Sequence, residues 1–153
     1  MNYKPLTRID YIAIHCSATP ATMDIGAAEI RQWHRAKGWR DIGYHFVIRR
    51  DGRVEPGRDV NIPGAHEPRI NAFSLAVCMV GGSPKVGSPE YKAGKGEDNF
   101  TPQQWASLKT LVTSLHAKHP AAKIIGHRDV PGVAKACPSF DVRTWWAANQ
   151  PNQ

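Results

Sequence analysis

The chain has 153 residues, 41% of them apolar and 22% charged, the make-up of one globular domain with a single core. Twenty Lys and Arg against 13 Asp and Glu leave a net charge of +7, which favours an anionic partner such as nucleic acid, an anionic membrane face or the acidic polymers of a cell wall. No apolar run approaches the ~20 residues of a membrane span, and residues 1–10 have neither the apolar segment nor the cleavage site of a secretory leader. Cys16, Cys78 and Cys137 are odd in number and far apart, so no disulfide framework is expected and the thiols should stay reduced.

Residues 9–16 alternate at first and are rich in β-formers, which predicts a strand that is apolar on both faces and central in a sheet. His15 falls at its end, before the break at Ser17-Ala18-Thr19-Pro20, where open α/β sheets place their sites. Asp24 is the candidate N-cap of a helix running to about Lys37, with Gly38 as its stop. Ile30, Trp33 and Lys37 fall at helical spacing, and His34 beside them reads as packing. Residues 43–50 predict a second strand, with Asp51-Gly52 turning it into a hairpin arm at residues 53–55. Simple alternation puts Tyr44, Phe46 and Ile48 on one face and His45 and Val47 on the other.

Residues 56–70 read as a loop carrying His66, and residues 74–80 as a third buried strand. Residues 83–99 read as an exposed loop. Thr101-Pro102-Gln103-Gln104 is a capping box with proline at the first helical position, and Trp105, Leu108, Leu111, Val112 and Leu115 give that helix its apolar stripe. Residues 123–125 form a short strand feeding a loop from Gly126 that carries His127, Asp129, Lys135 and Cys137. Ser139 is the candidate cap of a closing helix with Val142, Trp145 and Trp146. The order of elements predicts an α/β fold: one domain over residues 1–153, core about 9–148, with a central mixed sheet of about five strands flanked by helices.

His15, His127 and Cys137 thus stand at element ends with the donor chemistry of zinc, which in catalytic sites takes three protein ligands and keeps a fourth position open. Their spacing alone, with no close pair of donors, is a weak signal. Further motifs carry a resemblance: Ile14-His15-Cys16-Ser17-Ala18-Thr19; Trp33-His34-x3-Gly38-Trp39-x-Asp41-Ile42-Gly43-Tyr44-His45-Phe46-Val47-Ile48; Asp51-Gly52-x-Val54-x2-Gly57-Arg58; and Gly126-His127-x-Asp129 with Lys135-x-Cys137-Pro138-Ser139-Phe140-Asp141. From about Ile9 to Trp146 the chain resembles the N-acetylmuramoyl-L-alanine amidase type 2 family, which includes the peptidoglycan-recognition proteins, and is most like its short single-domain phage endolysins.

The resemblance implies one Zn2+ on His15, His127 and Cys137 and catalytic roles for Tyr44 and Lys135. It implies hydrolysis of the amide between the lactyl group of N-acetylmuramic acid and L-alanine in bacterial peptidoglycan. Zinc as a Lewis acid suits that bond, and a lysine two residues from a metal ligand can stabilise the oxyanion. Tyr44 can donate a hydrogen bond or orient the attacking water, and the proton path to the leaving amine stays open among Lys135, Tyr44 and water. His66 is a candidate for the peptide groove, and Asp129 for orienting its loop or for the second shell around His127. His45, Cys78 and Cys16 read as structural.

Some family members carry an acidic base in the strand matching residues 76–80, and this chain has none there. A non-catalytic peptidoglycan-binding module is the first alternative, against which Cys137 stands, since such members typically lose that ligand. A cytoplasmic amidase recycling wall fragments is the second. No nucleic-acid partner is expected, because there is no recognition helix, RNP-type motif or acidic metal cluster. The resemblance implies a monomer in the host cytoplasm that reaches the wall by a separate release route, with a regulatory protein partner left open.

Overall fold

The computed structural model of the chain describes residues 5–151. In chain order they form β1 (Tyr11–Cys16), the short β2 (Thr19–Pro20), α1 (Ala27–Ala36), β3 (Phe46–Ile48), β4 (Val54–Pro56), β5 (Ser74–Met79), the short β6 (Gly82–Ser83), α2 (Pro89–Lys92), α3 (Pro102–Lys118), β7 (Lys123–Gly126) and α4 (Val142–Asn149). Five strands make one mixed sheet in the order β4-β3-β5-β1-β7, in which only the β3–β4 hairpin is antiparallel. β2 and β6 pair separately as a two-residue parallel ladder. The expected α/β architecture, with helices against a sheet of about five strands, is the one observed.

β1 is hydrogen-bonded on both sides, to β5 and to β7, and its apolar character on both faces follows from that position. Ile12, Ile14 and Cys16 point into the larger core, where Leu75, Val77 and Met79 of β5 meet Leu108 and Val112 of α3 and Val142 and Trp146 of α4. On the opposite face Ile30 of α1 packs with Ile42, Val47, Cys78 and Val80. Ala13 of β1 is also on that face, with Ile70, Ile125 and Val130. His15 lies two residues beyond Ala13 and therefore shares its face. The functional face of the sheet is thus the one that α1 covers only in part.

Several local expectations are corrected by tertiary contacts. Asp24 does not cap α1: the helix starts after Gly26, whose N–H meets the Glu29 carboxylate at 3.4 Å, and Glu55 of β4 accepts from the Ala27 N–H at 2.9 Å. The buried stripe of α1 is Ala27, Ile30 and His34, while Trp33 is 42% exposed. Ser139 does not cap α4. It sits at φ 75°, its hydroxyl donates to the Gly82 carbonyl at 2.8 Å, and Asp141 takes the cap by accepting from the Thr144 N–H. The loop after β6 holds the short helix α2, capped by Ser88.

The faces of the second strand also differ from simple alternation. Phe46 and Ile48 face the α3 core, but Tyr44 packs with Val47 and Ile42 on the α1 side. The cause is His45, whose backbone N–H donates to the Ala76 carbonyl at 2.9 Å while its own Nδ1 accepts from the Ala76 N–H at 3.1 Å. A ring nitrogen takes a place that a backbone carbonyl holds in a regular ladder, so the strand begins only at Phe46.

The capping box of α3 forms as expected, with Thr101 accepting from the Gln104 N–H and the Gln104 side chain accepting from the Thr101 N–H. Gln104 also has a role that the capping motif does not announce. It is fully buried, and its Nε2 donates to the carbonyls of Val80 at 2.8 Å and Ile48 at 3.2 Å, fastening the helix to two strand ends. Replacing it with Ala strips these bonds from a site closed to water and opens a cavity. The expected cost is about 2–4 kcal/mol of unfolding free energy in urea titration, well above that of an exposed helix position.

Candidate metal centre

The register of β1 against β7 pairs Ile14 with Gly126, so the next residues on the two strands, His15 and His127, leave the sheet side by side. Past Gly126 the chain makes one 3₁₀ turn over His127–Asp129, closed by the Asp129 carboxylate accepting from the Gly126 N–H at 2.8 Å. The loop then returns, and the Arg128 N–H donates to the Cys137 carbonyl at 2.9 Å. At the end of β1 the Cys16 N–H donates to the Cys137 Sγ at 3.2 Å, holding the sulfur over His15.

One donor atom from each of His15, His127 and Cys137 lies within 4.8 Å of the others, with His15 Nδ1 at 3.9 Å from Sγ. Tetrahedral zinc with ordinary bond lengths spaces such donors roughly 3.3–3.6 Å apart. Two imidazoles and a thiol therefore fit the ion with a small inward movement of side chains.

The far nitrogens of the two rings are occupied. Ser74 donates its one hydroxyl proton to the Ile70 carbonyl at 2.7 Å, so it must accept from His66 Nε2–H at 2.9 Å. In neutral His66 that leaves Nδ1 as an acceptor, and it takes the Nε2–H of His15 at 2.9 Å. This line of bonds leaves His15 Nδ1 bare toward Cys137, as a ligand requires. His127 Nε2 meets the Glu67 carboxylate at 2.9 Å. Burial, reinforced by His66, His127 and Lys135, lowers the His15 pKa, and burial brings His66 down to about 3, so both are neutral at pH 7. In the metal-free chain the hydrogen bond with Cys16 and burial push the Cys137 thiol up.

His15, His66, His127 and Cys137 line a cleft of about 300 Å³ together with Tyr44, Lys135, His34, Lys37 and Trp39. Tyr44 packs against His15 with its ring tilted, 5.1 Å between ring centroids, and burial holds its phenol protonated. Tyr44 is placed by its neighbours: His34 Nδ1 accepts from the Gly43 N–H at 2.9 Å, and the buried Arg58 guanidinium donates to the carbonyls of Ile42, Pro63 and Asp41. A side chain at Gly43 would strike the Ala65 carbonyl, so glycine is needed for the His66 loop to close on the cleft. A second groove of about 370 Å³ lies beyond Lys135, lined by Tyr91, Lys95 and Ser139.

The structure brings five of the seven expected side chains, His15, Tyr44, His66, His127 and Cys137, into direct contact, and Lys135 to the same cleft. Asp129 is not in the second shell of His127: it closes the turn, and Glu67 is the carboxylate on that ring. Glu67, Ser74 and Arg58 are residues to which sequence reading gave no role. Arg58 appeared only as the last residue of a family motif, and Glu67 left a signal as an acidic neighbour of His66 on a glycine- and proline-rich loop. His45 is structural as expected, holding Ala76 and the Ile62 carbonyl, and Cys78 is fully buried.

The sequence profile of the N-acetylmuramoyl-L-alanine amidase family matches residues 5–140. The chain belongs to this family. It is 49% identical to the endolysin of Klebsiella phage KP32 over 139 residues, covering 91% of this chain and 86% of that one. It is 44% identical to the endolysin of Escherichia phage T7 over 150 residues, covering 98% and 93%. Among solved structures, the amidase LysC from Clostridium intestinale superposes with a TM-score of 0.72 at 27% identity, covering 97% of this chain and 93% of that one. Drosophila PGRP-LB gives 0.71 at 26%, covering 96% and 85%. The protein is an N-acetylmuramoyl-L-alanine amidase.

His34 gives the amidase an acid sensitivity separate from the three-donor cluster. Burial, with Lys37 and Arg58 nearby, lowers its pKa from 6.5 to about 4. The unfolded chain therefore binds the proton first, and the contribution of neutral His34 to stability is full above pH 6.5 and lost as pH falls toward 4. The thermal midpoint of chelator-treated protein should drop across that window, and His34→Gln should flatten part of the drop.

Proposed function

We propose that the amidase is a zinc-dependent endolysin that hydrolyses the lactyl–L-alanine amide of bacterial peptidoglycan, with His15, His127 and Cys137 as ligands and Tyr44 and Lys135 as catalytic residues. The observation that carries this reading is the three-donor cluster at the floor of a cleft walled by a phenol and an ammonium. When bound, zinc supplies a Lewis acid that polarises the amide carbonyl and activates water.

The side chains do the rest. Two imidazoles whose far nitrogens are already hydrogen-bonded need little reorientation to present their near nitrogens. Lys135 sits on the exposed arm of the loop two residues before Cys137 and lines the same cleft, near enough for its charge to act on His15, and we assign its ammonium to the carbonyl oxygen that gains charge. Tyr44, fixed through Gly43 and His34 and set against the His15 ring, is the hydrogen-bond donor we assign to the same centre, its hydroxyl being engaged by the Cys78 thiol in the free chain. A substrate cut in its middle needs room on both sides of the scissile bond. The two grooves that meet at Lys135 and Cys137 offer it, one for the sugar side and one for the stem peptide. The net charge of +7 suits an acidic wall.

Among the described residues no helix is long and apolar enough to cross a membrane. We place synthesis in the host cytoplasm, with release to the wall by a separate route, as the endolysin relatives suggest.

The deciding experiment incubates the protein with purified peptidoglycan and measures newly exposed L-alanine amino termini. Release should stop with a zinc chelator and return with added Zn2+. Cys137→Ser should abolish turnover while the circular dichroism spectrum is kept. Release that ignores the chelator, or full activity in Cys137→Ser, would sink the zinc reading, and release of reducing sugar ends alone would sink the bond assignment.

Lys135→Ala and Tyr44→Phe should each lower kcat about 10²–10³-fold, the scale for losing one group that stabilises an oxyanion. Zinc content should stay at one ion per chain in both. An unchanged kcat in either variant removes that residue from the chemistry.

A further inference from the structure

Glu67 is a buried carboxylate, 5% exposed, that the proposed chemistry does not use. Each of its oxygens has its own partner: Oε2 meets His127 Nε2 at 2.9 Å, and Oε1 accepts from Arg69 Nη1 at 2.6 Å and from the Arg69 N–H at 3.2 Å. The backbone beneath it is also fixed, since the Asn71 side-chain oxygen accepts from the N–H groups of His66 and Glu67, and the Glu67 carbonyl accepts from those of Ile70 and Asn71. The carboxylate is therefore held from one side by a cation and from below by a closed turn, and it presents a single oxygen to the imidazole.

We infer that Glu67, clamped by Arg69, is a positioning residue that sets the tautomer and ring orientation of His127, so that Nδ1 is the unprotonated nitrogen offered to the metal. A carboxylate is only an acceptor, so His127 must carry its proton on Nε2, and a neutral ring then has a lone pair on Nδ1. The same bond raises the basicity of the ligand nitrogen and resists rotation of the ring. Glu67 is no general base for the reaction: the His127 ring stands between it and the cluster, and neither oxygen is without a partner. On the other ligand the equivalent task falls to the neutral line from His15 through His66 to Ser74. The site thus uses one charged and one neutral orienting partner, and the charged one is Glu67.

This inference rests on the zinc reading for its affinity readout, but the tautomer can be measured without metal. In ¹⁵N-labelled, metal-free full-length protein, long-range ¹H–¹⁵N spectra should show His127 as the Nε2–H tautomer. Glu67→Ala should lose that fixed form and bind zinc 10–100-fold more weakly in competition with a chromophoric chelator, the range for removing such a partner. Glu67→Gln keeps an acceptor oxygen and should lie between, as should Arg69→Gln, which frees the carboxylate without removing it.

An Nδ1–H tautomer at His127 in the unsubstituted protein, or zinc affinity within twofold of it in Glu67→Ala, overturns the inference. A loss of thermal stability with unchanged tautomer and affinity does so too, by leaving Glu67 a structural ion pair. Should Glu67→Ala fail to fold, Glu67→Gln carries the same two measurements. If the unsubstituted chain binds no zinc, the zinc reading fails, and the His127 tautomer still decides whether Glu67 orients the ring.

Discussion

The parallel pairing of β1 with a neighbour on each side is the constraint on which the site depends. A strand hydrogen-bonded on both edges cannot slip by one residue without turning His15 into the apolar core and Ile14 out of it. That register also decides which residue of the distant β7 segment emerges beside His15. Because Ile14 is opposite Gly126, the residue that follows is His127, and two imidazoles separated by more than a hundred positions come to 4.5 Å between ring centroids. Cys137 is then drawn in by the last free N–H of β1. The three-donor cluster is in this sense an end product of sheet register.

Around this cluster, rigidity comes from polar groups that replace regular backbone pairing. His45 stands in for a carbonyl in the β3–β5 ladder, Arg58 gathers three carbonyls, Gln104 ties α3 to two strand ends, and Ser74 directs the line through His66. Among the described residues every buried side-chain nitrogen or oxygen has a hydrogen-bond partner. Such fully satisfied polar networks specify one arrangement more sharply than apolar packing does, because any alternative leaves a buried group without a partner. They keep Tyr44, His66 and the loop donors His127 and Cys137 in place, where backbone pairing alone would not.

The chemistry of the cleft separates by charge. The donor side carries the neutral imidazole of His15 and the Cys137 thiol, and the carboxylate beside it, Glu67, is matched by Arg69 and hydrogen-bonded to the His127 ring. Burial pushes the Glu67 carboxyl up, but hydrogen bonds from His127 and Arg69, with the charge of Arg69, outweigh it and bring it down to about 2. The cleft also carries the exposed ammonium groups of Lys37 and Lys135. Negative charge is thus withdrawn and positive charge stands at the mouth, an order that suits the oxyanion of the proposed amide hydrolysis.

Periodicity and caps made the strands, the α3 helix and its capping box legible in the sequence, because those signals are local: apolar alternation, a Thr-Pro-x-Gln start and glycine stops. The family motifs named His15, Tyr44, His127, Lys135 and Cys137 together. What sequence could not determine was any choice between equivalent local partners. Asp24 and Ser139 both look like caps, yet Glu55 on a neighbouring strand supports the start of α1 and Asp141 caps α4. Asp129, two residues from His127, looks like the carboxylate for that ring, yet the folding of the 66–71 turn against the end of β7 gives the contact to the distant Glu67. The face of Tyr44 was likewise decided by a histidine ring entering the ladder from the next residue. Donor identity is a property of residue type and is written in the chain. Which nitrogen of each ring is free to bind is fixed by contacts between segments far apart in sequence, and so only the tertiary structure decides it.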